Sequence, residues 1–286
     1  MSSLNGAKIQ ILPHPNIFFI FAFTDLNNMI SSSQSKVIRS LQKKKFREQH
    51  RLFLVEGEKM VGELNAGDPK KRFFIRELFA SPEWIDKHRT VLQQSGAKVT
   101  EASEAEIKKV SNLVTPQPVI ALVSIPKDRF SIEELIQTPV LAFESIRDPG
   151  NLGTIIRTAD WFGISQIVCT PDSTDLYNPK VVQSTMGAIT RVQVHYLEIE
   201  ALLERKEMQS KTVFGTFMEG ENIYETSLEP DPLVLFGNES HGLSDRLNPH
   251  IRHRISIPSF SPLGSGSESL NVASSVAVVC SELRRR

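Results

Sequence analysis

Three short stretches concentrate the polar residues that would do chemistry. "RDPGNLGTIIRTADWFG", residues 147–163, runs a Pro-Gly-Asn-Leu-Gly turn into an apolar-periodic segment that carries one arginine, Arg157. "NESHGLS", residues 238–244, follows the apolar run "LVLFG", and "SFSPLGSGSESLNV", residues 259–272, follows "ISIP". In open parallel sheets ligands bind beyond the carboxyl ends of strands, so polar loops directly after apolar runs are where a site is expected. Asparagine, arginine, glutamate and serine orient a ligand and stabilise developing charge, and a sheet held by burial alone has no use for them at one edge.

Each residue also has an ordinary structural explanation. Gly237 and Gly242 would ease turns, Asn151 would cap a helix starting at Leu152, and Arg157 would pair with Asp160 one turn on, worth roughly 0.2–0.5 kcal/mol. Standard cofactor signatures are absent: no G-x-G-x-x-G opens a helix after a strand, and neither a Walker A sequence nor a G-x-S-x-G elbow occurs. His250 and His253 stand three residues apart without cysteine or carboxylate partners at ligand spacing, so no metal centre is expected.

The elements that must position these loops alternate in type. From residue 52 to 125, "LFLVEG", "IRELFAS", "AKVTEA" and "VIALVSIP" read as strands separated by helix-like segments, a compact α/β unit. "PKDRFSIEELIQTP", residues 126–139, is a Pro-bounded, charged connector. The second half alternates more regularly, and "PVLAFESI", "SQIVCTP" and "DPLVLFGNE" are nearly continuous apolar runs, as expected of a parallel sheet covered on both faces. The expected division is a segment at 1–28, a domain at 29–125, a linker at 126–138 and a second α/β domain at 139–286. Recognisable pattern begins near Met29, where Ser33 would cap a helix carrying Val37, Ile38 and Leu41; residues 1–28 are either sequence upstream of a mis-assigned start or an aromatic arm packed on the body.

Bulk properties narrow the function. The 286 residues suffice for two domains. The longest strongly apolar run, "IFFIFAF" at 17–23, is far shorter than the 18 or so residues of a membrane span, so no membrane partner is expected. Two cysteines, Cys169 and Cys280, form no disulfide framework and fit a reducing cytoplasm. The net charge is zero but unevenly spread: residues 29–128 hold 18 Lys+Arg against 12 Asp+Glu, a net +6, and residues 129–286 hold 14 against 20, a net −6. The densest basic stretch, "KVIRSLQKKKFREQHR", has seven basic residues and one glutamate. It is either a solvated helix face or a surface for nucleic acid.

The order "NLGTIIRTADWFG", then "LVLFGNESHGLS", then "ISIPS" and "SLNVASSVAV", resembles the three ordered motifs of the SpoU (TrmH) family of RNA ribose 2'-O-methyltransferases, in the SPOUT superfamily. The likeness covers residues from about 139 to 286, and 36–125 is similar to the family's small substrate-binding domain, which resembles RNA-binding ribosomal proteins. The resemblance implies a parallel-sheet SPOUT domain with a deep trefoil knot, S-adenosylmethionine as cofactor and no metal. It also implies a homodimer whose sites assemble at the subunit interface.

What it implies for individual residues is specific. The arginine at the place of Arg157 would be the catalytic residue. An arginine side chain has a pKa above about 12, so fixing the target phosphate and lowering the hydroxyl's pKa suits it better than acting as a base. Asn151 would position it, Glu239 would orient the guanidinium, and Ser269 and Asn271 would complete the polar site. Backbone groups at Thr216, Gly237, Ile257 and Leu270 would grip the cofactor, Ile257 and Leu270 sandwiching adenine, with glycine at 237 permitting close approach. The 259–268 loop is longer than the pattern, and its Gly/Ser content implies mobility. Lys43, Lys44, Lys45 and Arg47 would contact RNA phosphates. The expected reaction is 2'-O-methylation of ribosomal RNA, the alternatives being transfer RNA or a non-catalytic RNA-binding or ribosome-assembly factor on the same scaffold.

Overall fold

The computed structural model describes residues 29–285 except 67, 69, 91, 93–95, 128–129 and 262–268. The 1–28 segment and most of the 259–268 loop lie outside the described residues. Among the described residues ten strands form two sheets. The smaller is ordered β1-β4-β2-β3, with β1 Leu52–Glu56, β2 Ile75–Ala80, β3 Lys98–Glu101 and β4 Val119–Ser124. β4 runs antiparallel to both neighbours, and β2 and β3 are parallel.

The larger sheet is ordered β10-β8-β9-β5-β6-β7 and all its pairings are parallel. Its strands are β5 Val140–Phe143, β6 Gln166–Cys169, β7 Gln193–Tyr196, β8 Val213–Asn222, β9 Leu233–Phe236 and β10 His253–Ser256. β5, β6 and β9 are buried along their whole length, which is why they read as continuous apolar runs rather than alternating ones. The chain builds outward from β5 through β6 to β7, then crosses to β8, β9 and β10 on the other side. The order therefore reverses between β5 and β9.

Helix starts differ from the sequence reading in instructive ways. Ser31, not Ser33, caps the helix Ser32–Ser40 through a capping box with Gln34. The helix Pro149–Trp161 is capped by Asp148, whose Oδ1 accepts from the Asn151 amide at 2.8 Å, with Pro149 at the first turn. Asn151 is thereby released from capping. That helix packs tightly on the helix Pro179–Thr185 because Gly153 has no side chain: a Cβ there would lie 2.3 Å from the Ser184 Cβ and 2.8 Å from the Val181 carbonyl oxygen.

The 126–138 connector is not a bare linker. It contains the helix Ile132–Gln137, whose Ile132 and Leu135 pack into the core formed with Val140, Val168 and Leu235. The two sheets are bound closely to each other: Phe53 packs on Tyr177 with ring centroids 4.8 Å apart, and Arg191 reaches Glu63 at 2.6 Å and Asp160 at 2.8 Å. Asp160 is therefore Arg191's partner, not Arg157's. Among the described residues no helix is long and apolar enough to cross a membrane.

Candidate active site at the strand ends

The reversal between β5 and β9 leaves a crevice at their carboxyl ends, where open α/β sheets place ligands. The loops leaving the two strands are tied across it. Asn238 donates from Nδ2 to the Ser145 carbonyl at 3.0 Å. Glu144, only 6% exposed, accepts from the Ser244 amide at 2.8 Å, the Ser244 hydroxyl at 2.6 Å and the Arg246 guanidinium at 3.1 Å. Ser145 takes the left-handed conformation, φ 55°, and its amide donates to the Thr170 hydroxyl at 2.8 Å. The Ser145 hydroxyl, and then that of Thr170, holds the Asp172 carboxyl below the usual carboxylate range.

On this frame three of the expected polar residues meet. Asn151 donates from Nδ2 to Oε1 of Glu239 and accepts at Oδ1 from Asn271 at 3.2 Å. One carboxamide thus links the β5 loop, the β9 loop and the residue that opens the last helix, Val272–Arg285. Only a group with a donor and an acceptor can do this. Arg157, two turns along the Pro149–Trp161 helix, is exposed, and among the described residues its guanidinium has no hydrogen bond or ion pair. The expected Glu239–Arg157 contact is therefore replaced by Glu239–Asn151. Ser269 is exposed two residues before Asn271, with no hydrogen bond of its own among the described residues.

Three of the residues expected to hold the cofactor lie on or just beyond the neighbouring strands β8, β9 and β10, and the fourth, Leu270, lies just before the last helix. The β8–β9 pairing ends at Gly215↔Leu235, so Thr216 is the next residue, and its hydroxyl donates to the Leu235 carbonyl at 3.0 Å. Gly237 follows β9 and Ile257 follows β10. Thr216 itself lies inside β8, which continues beyond its pairing with β9 to Asn222. Gly237 serves the loop itself: a Cβ would lie 2.2 Å from the Gly242 carbonyl carbon and 2.3 Å from the Leu243 nitrogen, so its missing side chain admits the chain's own return rather than a ligand.

A methyl-sulfonium nucleoside fits these residues. Leu270, directly before Asn271, is 51% exposed, and Ile257, just past β10, is half-buried, so both apolar side chains have surface open to an aromatic base.

Sequence reasoning missed Glu144, Asn238, Ser244 and Arg246, which fix the loops. An acid directly after a fully apolar strand, as in "VLAFE", was the available signal for Glu144. The two cysteines are buried and unpaired, and burial raises both thiols, Cys280 to about 12, which makes them poor nucleophiles. Glu200, Glu204 and His250 bring one ligand atom each within 4.8 Å of the others, so the carboxylates that sequence spacing did not show come from the helix Ile199–Leu203 and its cap. His253 instead stacks on Phe214, centroids 5.0 Å apart, with Glu221 at 3.7 Å.

The basic stretch divides. Lys43, Lys44 and Lys45 are exposed, but Arg47 is 3% exposed and cannot meet a phosphate. Its guanidinium donates to Asp175 at 2.5 and 2.9 Å and to the Leu41 and Gln42 carbonyls at 2.7 and 2.9 Å, tying the basic helices to the larger sheet's domain.

Fold and site together define a two-part α/β protein: a parallel sheet with a polar site at its topological switch point, and a smaller mixed sheet fastened to it. The model of the SpoU rRNA methylase family matches residues 138–281, and that of an MRM3-like substrate-binding domain matches residues 33–121. The chain belongs to the SpoU rRNA methylase family. It is 26% identical over 260 residues to the 23S rRNA (guanosine(2553)-2'-O)-methyltransferase RlmP of Bacillus subtilis, an alignment covering 89% of this chain and 98% of that one. A TrmH-family RNA methyltransferase structure from Porphyromonas gingivalis is 35% identical, with a TM-score of 0.76 over 89% of this chain and 98% of that one. The AdoMet-bound rRNA methyltransferase of Sinorhizobium meliloti is 27% identical, with a TM-score of 0.74 over 89% and 95%.

Proposed function

We propose that this chain transfers a methyl group from S-adenosylmethionine to a ribose 2'-hydroxyl of ribosomal RNA. The observation that carries the reading is the contact of Asn151 with both Glu239 and Asn271, beside the open Arg157 guanidinium. It is supported by the rRNA 2'-O-methyltransferase related over nearly the full chain and by the AdoMet-bound relative.

Bound S-adenosylmethionine supplies a methyl group already activated by its sulfonium. The chain's own task is therefore the weak nucleophile, a neutral hydroxyl that must lose its proton as its oxygen attacks. Arg157, charged and unengaged, fixes the target phosphate and stabilises the developing negative charge. Asn151, held from both sides, fixes the loops that set the distance between hydroxyl and donor. Ser269 and Asn271 complete the polar wall. Main-chain groups at Thr216, Gly237 and Ile257 grip the donor, and the side chains of Ile257 and Leu270 enclose its adenine. Lys43, Lys44 and Lys45 contact RNA phosphates.

Two further features belong to the proposal. The carboxyl-terminal segment threads a knot, consistent with the last helix packing on Pro149–Trp161 while Asn271 bonds Asn151. The working form is a homodimer: Trp161, 86% exposed at the end of that helix pair, offers a large apolar surface to a second copy. The cytoplasm suits its two free thiols.

Incubation with labelled S-adenosylmethionine and ribosomal RNA lacking the modification, followed by digestion to nucleosides, tests the reading. A labelled 2'-O-methyl nucleoside is expected from the wild type. Arg157→Ala should lose it at least 100-fold while its calorimetric uptake of S-adenosylmethionine stays within about twofold. Label recovered only from transfer RNA, or none from any RNA, rejects ribosomal methylation.

A further inference from the structure

Two adjoining cavities, of 540 and 460 Å³, lie between the small sheet and the helix Pro179–Thr185, and both are lined by Glu56 and Gln183. Neither includes the polar cluster described above. Their walls are rich in carboxamides. Gln117 and Gln183 face the first from the two sides, and among the described residues neither side chain has a hydrogen-bond partner. Gln42, Asn112 and Asn178 line the second. Met60 and Met186 supply adaptable apolar surface to the same cavity.

A carboxamide presents a donor and an acceptor side by side, the pattern that matches a nucleobase edge. Among the described residues no aromatic side chain lines either cavity, so a base held there is read by its edge rather than by stacking. The acids present do not repel RNA strongly. Glu56 is 5% exposed and accepts from the Ser111 hydroxyl and the Asn112 amide, and Glu58 is engaged by Lys87 at 2.9 Å and His88 at 3.3 Å.

The groove also connects to the strand-end site. Lys180 lines the second cavity and reaches Asp148, the cap of the helix that carries Asn151 and Arg157, at 3.9 Å. Gln42, which lines the same cavity, directly precedes the exposed Lys43, Lys44 and Lys45.

We propose that this groove binds an unpaired nucleotide flanking the target ribose, its base edge read by Gln117 and Gln183, so that the substrate is a single-stranded or looped segment rather than a duplex. The inference rests on the RNA methyltransferase reading. It fits the general rule that sequence is read in RNA where bases are splayed out of the helix.

The test uses the full chain and a short ribosomal RNA fragment, with affinity measured by fluorescence anisotropy separately from methyl transfer. Gln117→Ala with Gln183→Ala should weaken RNA binding about tenfold or more, with S-adenosylmethionine uptake unchanged and kcat at saturating RNA little altered. Should the double variant melt early, the isosteric Gln183→Glu provides the second arm and should weaken binding at least as much. Removing bases one at a time from the fragment should reveal one flanking position whose loss weakens wild-type binding and adds nothing to the double variant. Unchanged RNA affinity in folded variants, or no such position, overturns the groove assignment. A wild type that binds RNA through this groove but transfers no methyl leaves the groove standing and contradicts the catalytic reading.

Discussion

Asn151 shows what a single residue contributes to this site. Its side chain donates to Glu239 and accepts from Asn271, joining loops 88 and 120 residues away in sequence. The residue types and their order were legible in the sequence; which of them touch was not, because contact depends on loops converging from separate strand ends. Hence Glu239 was expected on Arg157 and is found on Asn151. Arg47 was misread for a related reason: a run of basic residues does not reveal which member folds inward. The distinction is measurable. Arg47→Ala should lower stability by about 3 kcal/mol, since it leaves Asp175 without its guanidinium. Replacing Lys43, Lys44 and Lys45 with alanine should leave stability nearly unchanged and flatten the salt dependence of RNA binding. Thermal melts and binding titrations over a salt series check both.

At the scale of elements, the strands were readable because burial on both faces leaves continuous apolar runs, and β1 to β6 and β9 fall within the stretches expected as strands. Helix boundaries were less so. Asp148 rather than Asn151 caps the helix Pro149–Trp161, since a Pro at the first turn moves the start back by three residues from Leu152. The 126–138 connector conceals a helix because only Ile132 and Leu135 mark its buried face, too few for a periodic signal. The close packing of Pro149–Trp161 on Pro179–Thr185 could not be foreseen from Gly153 alone. Gly153→Ala should force these helices apart, costing about 1–3 kcal/mol and lowering methyl transfer, because one helix carries Arg157 and the other lines the groove. Chemical denaturation and a transfer assay on the same variant would show it; wild-type stability would contradict the packing described.

For the whole molecule, charge asymmetry pointed to a basic half, but not to how it is held. The salt links of Arg47 and Arg191 and the Phe53–Tyr177 contact fasten the small sheet directly to the larger domain, so the groove between them has fixed walls. Chain threading and subunit association leave no mark in hydrophobic periodicity, which is why the proposed knot and dimer rest on resemblance. Trp161→Glu should shift the protein toward monomer in sedimentation velocity, with activity falling alongside; an unaltered sedimentation coefficient at the dimer value would remove Trp161 from the interface.

The most direct check on the central claim is a map of ribose methylation across ribosomal RNA from cells with and without this gene, restored with either the wild type or Arg157→Ala. One 2'-O-methyl position should vanish on deletion, return with the wild type and stay absent with the variant. Identical maps in all four strains would contradict the account.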